Sequence, residues 1–331
     1  MLRKKMTLVA ATATLSVLAA CGGDGGSGAS GDNGGDGGEP EKLILGLVPS
    51  GEVDKLVEDA DQLGALLSDE LGIPVETNVT ENYAGLVVAM QTDQAQIGMF
   101  GPIALVQAVD QADAEVVLQS VRFGASTYHT QWFTNDPETY CQDEPVMVED
   151  DGVSFSYCNG TDTAEEGPVA DDALANVEEG TTISFVDESS ASGYYYPATQ
   201  LQQATGLDPL TDIDAQFAGD HDNSVLSVAR GDVPLGVSFD DARGGLVEDD
   251  PKIGEKVTVF AYSTEIPNDG VAVSGSLSEE WQQKITDAFL ALTETEEGLA
   301  ALDAVYEIED LVPADLEALD AARQVAEKFG E

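Results

Sequence analysis

Short apolar runs alternate along the chain with longer segments in which apolar residues recur every three or four positions. The runs predict strands at 42–49, 73–79 and 96–102, and the periodic segments predict a helix at 53–72 and another from Tyr83. The leucines of the helix at 53–72 fall on one side, which indicates a face turned toward a core. This alternation is typical of an α/β fold with a largely parallel sheet.

The last part of the chain shows the same helical spacing. Apolar residues recur at intervals of three and four between Trp281 and Leu292, and Ser276 and Glu279 precede them in positions suited to a capping box. This pattern predicts a core-facing helix. The residues from Glu41 onward are numerous enough for two lobes with cores of their own.

The first residues have the pattern of an export signal. Basic residues at 3–5 precede an apolar run at 6–20, which is too short to span a bilayer comfortably. Leu-Ala-Ala before Cys21 resembles a bacterial lipobox, which predicts a signal peptide at 1–20 and a lipid on Cys21. The Gly-rich segment 21–40 predicts a flexible tether. The alternative is an ordinary signal followed by a cysteine of no consequence.

The charge of the chain restricts its partners. The sequence has 13 Lys+Arg and 63 Asp+Glu, a formal charge of −50, and removal of residues 1–20 takes away three basic residues and no acid, which leaves −53. Such a charge excludes nucleic acid as a partner and argues against docking on anionic lipid. A link to the membrane would therefore be the lipid on Cys21. The acids are scattered, which indicates a surface adapted to remain hydrated, as in a saline habitat.

Two further cysteines lie within an acid-rich stretch of weak periodicity at 134–180. Cys141 and Cys158 bracket two short extended runs with a turn between them, so we predict a hairpin closed by a disulfide. A zinc site is the weaker alternative, because two cysteines without a nearby histidine pair fall short of four ligands.

Signatures of catalysis are missing from the sequence. It has no GxSxG, HExxH, P-loop, GxGxxG after a strand, or CxxC motif, and it has two histidines, few for a metal site. We therefore expect no enzyme activity, no cofactor and no metal, although carboxylates alone can hold calcium. A hydrolase would have to combine Ser190 or Ser192 with His221 and Asp240 or Asp241, and no spacing enforces that arrangement.

Small hydroxyl residues occur where a strand should pass into a helix, in SFVDESSASGYYYP at 184–197. If the helix starts at Gly193, then Ser189, Ser190 and Ser192 present hydroxyl and backbone N–H groups at its N-terminus. Such a terminus binds anions without a lysine or arginine. Simple N-capping is the alternative, but it needs only one hydroxyl, and the glycine permits close approach.

Two other segments have the same character. Tyr83 opens a predicted helix that Thr80 or Asn82 can cap, and His221 and Ser224 precede a second apolar helix. Each observation has an ordinary explanation, since Tyr83 can pack in a core and His221 can serve as a cap. Together with the serines, however, they indicate several helix N-termini available to one anion.

Six segments, in order, resemble a known family. The family is that of phosphate, phosphite and phosphonate substrate-binding proteins of ABC transporters, with segments that read approximately GLVPS, DYAGLIEAL, AYFGP, DPxSTSGYLVP, SGSHDAS, NDD and IPND. The matching segments here are LILGLVPS, NYAGLVVAMQTDQAQIGMFGP, DESSASGYYYP, GDHDNSVLSVARGDVPLG, SFDDA and IPNDGVAV. The resemblance extends over 42–329.

The resemblance implies a type II periplasmic-binding-protein fold, an α/β fold of two lobes that close on a ligand in the cleft. Lobe 1 would comprise 41–127 and 262–331, and lobe 2 would comprise 128–261 with the acidic insertion. The two crossovers between the lobes are expected near Tyr128–Phe133 and Phe260–Asn268.

The resemblance also implies a set of ligand-binding residues. The positions that match the family are Tyr83, Tyr128, Thr130, Ser190, Ser192, His221, Asp240 and Asp241. An acidic residue among them could accept a P–OH proton or pair with an ammonium group of the ligand, or Asp240 and Asp241 could cap the next helix. The family threonine of STSG is Ala191 here, which removes one hydroxyl donor and favours phosphite or a substituted phosphonate over phosphate.

The implied function is that of a monomeric solute-binding lipoprotein outside the cytoplasm, anchored through Cys21 to the outer face of the cell membrane. It would bind a small anionic phosphorus compound and deliver it to an ABC permease. An alternative is a binding protein that serves a signalling receptor.

Overall fold

The computed structural model describes residues 39–150, 152–164 and 166–328. The predicted signal peptide at 1–20, the predicted lipidation site Cys21 and nearly all of the predicted tether 21–40 lie outside the described residues. None of the helices in the described ranges is long and apolar enough to cross a membrane.

Strands and helices alternate through most of the described chain. The strands are β1 (Leu43–Leu47), β2 (Val75–Val79), β3 (Ile97–Phe100), β4 (Ala114–Val121), β5 (Thr127–Tyr128), β6 (Thr130–Thr134), β7 (Val146–Asp150), β8 (Val153–Tyr157), β9 (Thr182–Phe185), β10 (Asp214–Phe217), β11 (Leu235–Phe239), β12 (Thr258–Tyr262), β13 (Ile266–Pro267), β14 (Gly270–Ser274) and β15 (Asp310–Pro313). The helices are α1 (Val53–Leu71), α2 (Tyr83–Gln91), α3 (Pro102–Ala112), α4 (Pro137–Tyr140), α5 (Tyr196–Thr205), α6 (His221–Ala229), α7 (Ile253–Lys256), α8 (Glu279–Thr293), α9 (Glu296–Tyr306) and α10 (Leu316–Ala326).

The strands form two large sheets, one in each lobe, which confirms the predicted α/β fold. The first sheet has the order β15-β4-β14-β3-β1-β2, and the second has the order β10-β9-β11-β6-β12-β8-β7. Both are mixed, so the expectation of largely parallel sheets was too simple. The antiparallel pairs involve the strands next to the crossovers. In the first sheet, β4 and β14 run antiparallel to both of their neighbours. In the second sheet, β6 runs antiparallel to β11 and β12, and β12 also pairs parallel with β8.

The two crossovers touch each other between the lobes. Strand β5 pairs antiparallel with β13, with Tyr128 opposite Ile266. The first sheet uses strands from 43–121 and 270–313, and the second uses strands from 130–262. We retain the predicted lobe boundaries as working definitions, since the sheets divide the chain close to them.

The acidic insertion adds an edge to the second sheet. Strands β7 and β8 pair antiparallel as a hairpin, and β8 pairs parallel with β12. A disulfide joins Cys141 to Cys158, with 5.7 Å between their Cα atoms, so it connects the end of α4 to the end of the hairpin. Val169 pairs with Tyr262, which ties the insertion to the second crossover as well.

Local signals place the long helices of the first lobe. The side chain of Glu52 caps the N-terminus of α1, and Gly72 ends the helix in the left-handed region at φ 74°. Helix α8 covers the predicted positions, but its cap is Ser278 rather than Ser276, whose hydroxyl instead bonds that of Ser274. The apolar face of α8 is buried in the core of this lobe.

Candidate functional site

A cavity of about 430 Å³ lies between the lobes and is lined by residues of both. Tyr83 belongs to the first lobe, Tyr128 lies in the first crossover, and Ser190, Ser192 and His221 belong to the second lobe. Five of the predicted site residues therefore meet at one cavity, although they come from four separate segments of the chain.

The serine segment begins a helix at the cavity wall. After β9, Ser190 acts as the N-cap: its Oγ accepts a hydrogen bond from the Gly193 N–H at 3.0 Å. Residues Ala191–Tyr195 form a turn of π-helix that leads into α5. A Cβ on Gly193 would lie 2.4 Å from Cβ of Val186, the residue that follows β9, so packing against Val186 requires this glycine.

The serines have different environments. Ser192 Oγ lies 3.4 Å from the Tyr128 hydroxyl, and Ser190 and Ser192 both line the cavity. Ser189 and Thr130 are not among the described residues that line the cavity. Thr130 is fully buried behind the wall, where its Oγ1 donates to the Ser192 carbonyl at 3.1 Å. The predicted role of Thr130 therefore becomes one of support for the wall.

Tyr83 stands at the N-terminus of α2, which Asn82 caps by accepting from the Gly85 N–H at 2.8 Å. The Tyr83 side chain is buried, and burial raises its pKa well above the usual value, so the hydroxyl is a neutral donor. Its backbone N–H donates to the carboxylate of Asp187, which belongs to the other lobe. The helix N-terminus is thus already in contact with an anion across the cleft.

His221 begins α6 and links the lobes. Its backbone N–H donates to the Ser50 carbonyl of the first lobe at 3.1 Å, while Asp220 caps the helix. Its Nδ1 accepts the Phe239 N–H at 3.2 Å, and burial, assisted by the charge of Arg122, lowers the pKa of His221 to about 3. The imidazole is therefore neutral, and the proton resides on Nε2, which makes that nitrogen a donor.

The acidic pair predicted for the site is used elsewhere. Within the described part of the cavity wall, neither Asp240 nor Asp241 is present. Arg243, which is fully buried, binds Asp241 with its Nε at 3.0 Å and its Nη2 at 2.5 Å. Burial opposes ionisation of Asp241, but the guanidinium outweighs it and holds the pKa of that carboxyl below its usual range. Asp240 lies beside the Tyr262 hydroxyl, and burial followed by the charge of Asp241 raises its pKa.

This arrangement is incompatible with the hydrolase alternative. A catalytic triad requires a carboxylate that accepts a hydrogen bond from the histidine and orients it as a base. Here His221 Nδ1 is itself an acceptor from a backbone N–H, and Asp241 is occupied by Arg243. The Ser190 hydroxyl oxygen is engaged as a helix cap.

Sequence reasoning missed the charged residues that do line the cavity. Arg122 follows β4, and Asp269 precedes β14 within the IPND segment. Asp269 is partly buried, and burial raises the pKa of its carboxyl. A polar residue directly after a buried strand is the signal that could have revealed Arg122. The described residues contain no group of three or more His, Cys, Asp or Glu side chains that could hold a metal ion.

The chain is similar to known proteins. Residues 45–319 match the family model described as ABC transporter, phosphonate, periplasmic substrate-binding protein. The phosphate-import protein PhnD of Mycolicibacterium smegmatis is 26% identical over 261 residues, which cover 76% of this chain and 71% of that protein. The phosphonates-binding periplasmic protein of Escherichia coli is 23% identical over 238 residues, 72% of this chain and 62% of that protein, which is less than two thirds of its length.

Solved structures share the fold. PhnD1 of Prochlorococcus marinus, in complex with methylphosphonate, has a TM-score of 0.71 at 18% identity. The match covers 88% of this chain and 99% of that protein. A binding protein component of an ABC phosphonate transporter of Pseudomonas aeruginosa has a TM-score of 0.70 at 20% identity. The match covers 87% of this chain and 86% of that protein. The chain therefore belongs to the family of periplasmic substrate-binding proteins of phosphonate ABC transporters, and it is a binding protein rather than an enzyme.

Proposed function

We propose that this protein captures a phosphonate, or the related oxyanion phosphite, between its two lobes and delivers it to an ABC permease. The observation that supports this most is the convergence of neutral hydrogen-bond donors on one cavity. The hydroxyls of Tyr83 and Ser192 and the Nε2–H of His221 are the proposed donors. The Tyr128 hydroxyl donates to Ser192 Oγ at 3.4 Å and is proposed to orient that serine, and Ser190 shapes the helix start beside them.

Neutral donors suit an anion receptor whose own charge is strongly negative. Each hydrogen bond to a charged oxygen contributes about 1.5–3 kcal/mol in a dry site, because the donors are already oriented and lose little water. The long-range repulsion between the protein and the ligand is screened beyond roughly 8 Å at physiological ionic strength. Short-range donors can therefore outweigh the field of the surface acids.

Asp269 takes the role that was expected of Asp240 and Asp241. A phosphonate that carries one proton presents a P–OH group, and a carboxylate in the cavity can accept that proton in a hydrogen bond. Alternatively, Asp269 and the other acids of the cavity can pair with an ammonium group on an aminoalkyl phosphonate. The two roles differ in the ligand they favour, methylphosphonate in the first and 2-aminoethylphosphonate in the second.

Contacts across the cleft explain how binding would be reported to a transporter. The His221 N–H to Ser50 carbonyl bond and the Tyr83 N–H to Asp187 bond both join one lobe to the other. They form only when the lobes are close, so a ligand that also contacts both lobes would favour the closed form. The closed form is the state proposed to dock on the permease, and the protein is proposed to act as a monomer.

Calorimetry on the chain from Glu41 tests the proposal. Phosphite, methylphosphonate, 2-aminoethylphosphonate, phosphate and sulfate would be titrated in high salt. We expect tight binding of at least one phosphorus ligand and a loss of about 10- to 100-fold for Tyr83→Phe or Ser192→Ala, which remove single donors. Ser189→Ala is the matched control, since Ser189 is adjacent but is not one of the described lining residues. No heat from any phosphorus ligand, or tighter binding of sulfate, would refute the proposal.

The anchoring of the protein is a separate proposal. The family acts outside the cytoplasm, and we propose that a lipid on Cys21 holds this member at the outer face of the cell membrane. The test is fractionation of cells that express the wild type or Cys21→Ser. The wild type is expected in the membrane fraction as a processed protein. The variant is expected either in the soluble fraction or in the membrane fraction as an uncleaved precursor of larger size. A variant that matches the wild type in both distribution and size would refute the lipid anchor.

A further inference from the structure

Arg122 is a charged residue of the cavity to which the proposed function gives no role. It follows β4 in the first lobe, its side chain is only 8% exposed, and it lines the cavity. Burying a guanidinium is costly unless its N–H groups are paired. The partners of each nitrogen therefore indicate what the side chain is arranged to hold.

Only one of the three guanidinium nitrogens makes a hydrogen bond within the described residues. Nη2 donates to Glu307 Oε2 at 2.5 Å. Nη1 lies 3.8 Å from Asp269 Oδ2, which is too long for a hydrogen bond, and the buried Nε has no partner. Nη1, unlike Nε, is not among the buried unpaired atoms of the described residues, and Arg122 lines the cavity, so Nη1 is the unpaired nitrogen that an acceptor from outside the chain can reach.

The guanidinium is fixed in position and lies beside the proposed donors. Its Cζ is 4.9 Å from the centre of the Phe239 ring, a cation–π contact with the second lobe. Phe239 also contacts the His221 ring, with 4.9 Å between the ring centres, and donates its N–H to that residue. Arg122 thus faces the same cavity as His221 and is held by one residue from each lobe.

We propose that Arg122 is a further ligand-binding residue that helps to determine specificity, donating from Nη1 to an oxygen of the bound phosphonate. The inference rests on the proposed function, because it adds a contact to the same site. Ala191 presents a methyl group between two cavity serines, so a strong donor from the opposite lobe compensates for a hydroxyl that this segment lacks.

Arg122 and Asp269 together would select the protonation state of the ligand. The guanidinium is a donor only, and the neighbouring carboxylate is an acceptor. A phosphonate with one proton offers both an anionic oxygen and a P–OH group, whereas a sulfonate offers acceptors alone. The pair therefore favours methylphosphonate over methanesulfonate, two ligands of nearly the same size.

The test is calorimetry with methylphosphonate and methanesulfonate on the chain from Glu41, which contains every described element. Arg122→Gln and Arg122→Lys are both expected to bind methylphosphonate about 10- to 100-fold more weakly. Glutamine removes the charge, and lysine replaces two separate nitrogens, one bound to Glu307 and one free, by a single nitrogen drawn to Glu307. Arg323→Gln is the matched control, since Arg323 pairs with Asp110 on the surface away from the cavity. The loss should persist in 1 M NaCl, where long-range attraction is screened.

The outcomes separate this inference from the proposed function. A dissociation constant within twofold of wild type in either Arg122 variant, or a loss that disappears in 1 M NaCl, would overturn the role of Arg122 while leaving the receptor function intact. If the wild type binds no phosphorus ligand, both fail. If thermal unfolding shows that Arg122→Gln does not fold, Arg122→Lys decides, because it keeps a positive charge beside Glu307.

Discussion

Removing the buried cation Arg243 should destabilise the protein far more than removing a cation from its surface. Arg243 binds Asp241, and its Nη1 donates to the carbonyls of Ser156 at 2.9 Å and Val257 at 2.8 Å. Arg243→Met leaves a carboxylate without its cation and two carbonyls without a donor. Breaking a buried pair in this way typically costs about 3–5 kcal/mol of unfolding free energy.

The control is the exposed pair of Lys42 and Glu76, whose side chains are 50% and 59% exposed. Lys42→Met should cost less than about 1 kcal/mol, because water already solvates both charges. Urea unfolding of each variant at pH 7 measures the difference, and Asp241→Asn completes a double-mutant cycle with Arg243→Met. The losses of unfolding free energy from the two substitutions should not add, since Asp241→Asn removes the carboxylate that Arg243→Met leaves buried without its cation. Losses that add within about 0.5 kcal/mol would refute the pairing.

Three further outcomes are expected. Gly193→Ala should lower the unfolding free energy by about 1–3 kcal/mol, because the added methyl group would overlap the side chain of Val186, and it should also weaken ligand binding. Urea unfolding and calorimetry measure the two effects. Gly244→Ala is the control, since a Cβ at that position meets nothing within 4 Å. Cys141→Ser should cost about 3 kcal/mol by loop entropy, measured by urea unfolding, and wild type in reductant should show the same loss. Burial, then the charge of Asp220, raises the pKa of Asp222 to about 6, so the folded state binds an extra proton and loses stability as pH rises from about 4 through 6. Asp222→Asn should flatten that part of the stability curve; an unchanged slope would contradict the assignment.

Local patterns predicted the elements that depend on neighbouring residues. Helix α1 was foreseen within one residue, because its leucine spacing and the glycine that ends it are encoded within the helix itself. The order of strands was not foreseen. Strand β14 lies between β3 and β4 in the first sheet, although it is far from them in the sequence, and no local signal specifies such a pairing.

The same distinction applies to the cavity. Tyr83, Ser190 and His221 could be found because each begins a helix or caps one, and capping has a recognisable residue pattern. Asp240 and Asp241 were included because they match the acidic pair of the family that the sequence resembles, yet Arg243 lies only two residues beyond Asp241 and pairs with it. Proximity in sequence could have suggested that pairing. Its complete burial could not have been deduced without the fold.

The net charge of the chain acts on a ligand at long range, whereas the hydrogen-bond donors of the site act only at contact. Among the described residues that line the cavity, acids outnumber the two basic residues, Lys55 and Arg122, so the cleft does not attract an anion by its net field. Attraction is therefore confined to contact, where oriented donors act over about 3 Å and solvent screening is weak. Weak long-range attraction makes such a site more specific. An anion that cannot form hydrogen bonds with both the donors and Asp269 gains no compensating attraction from the net charge and is therefore bound weakly.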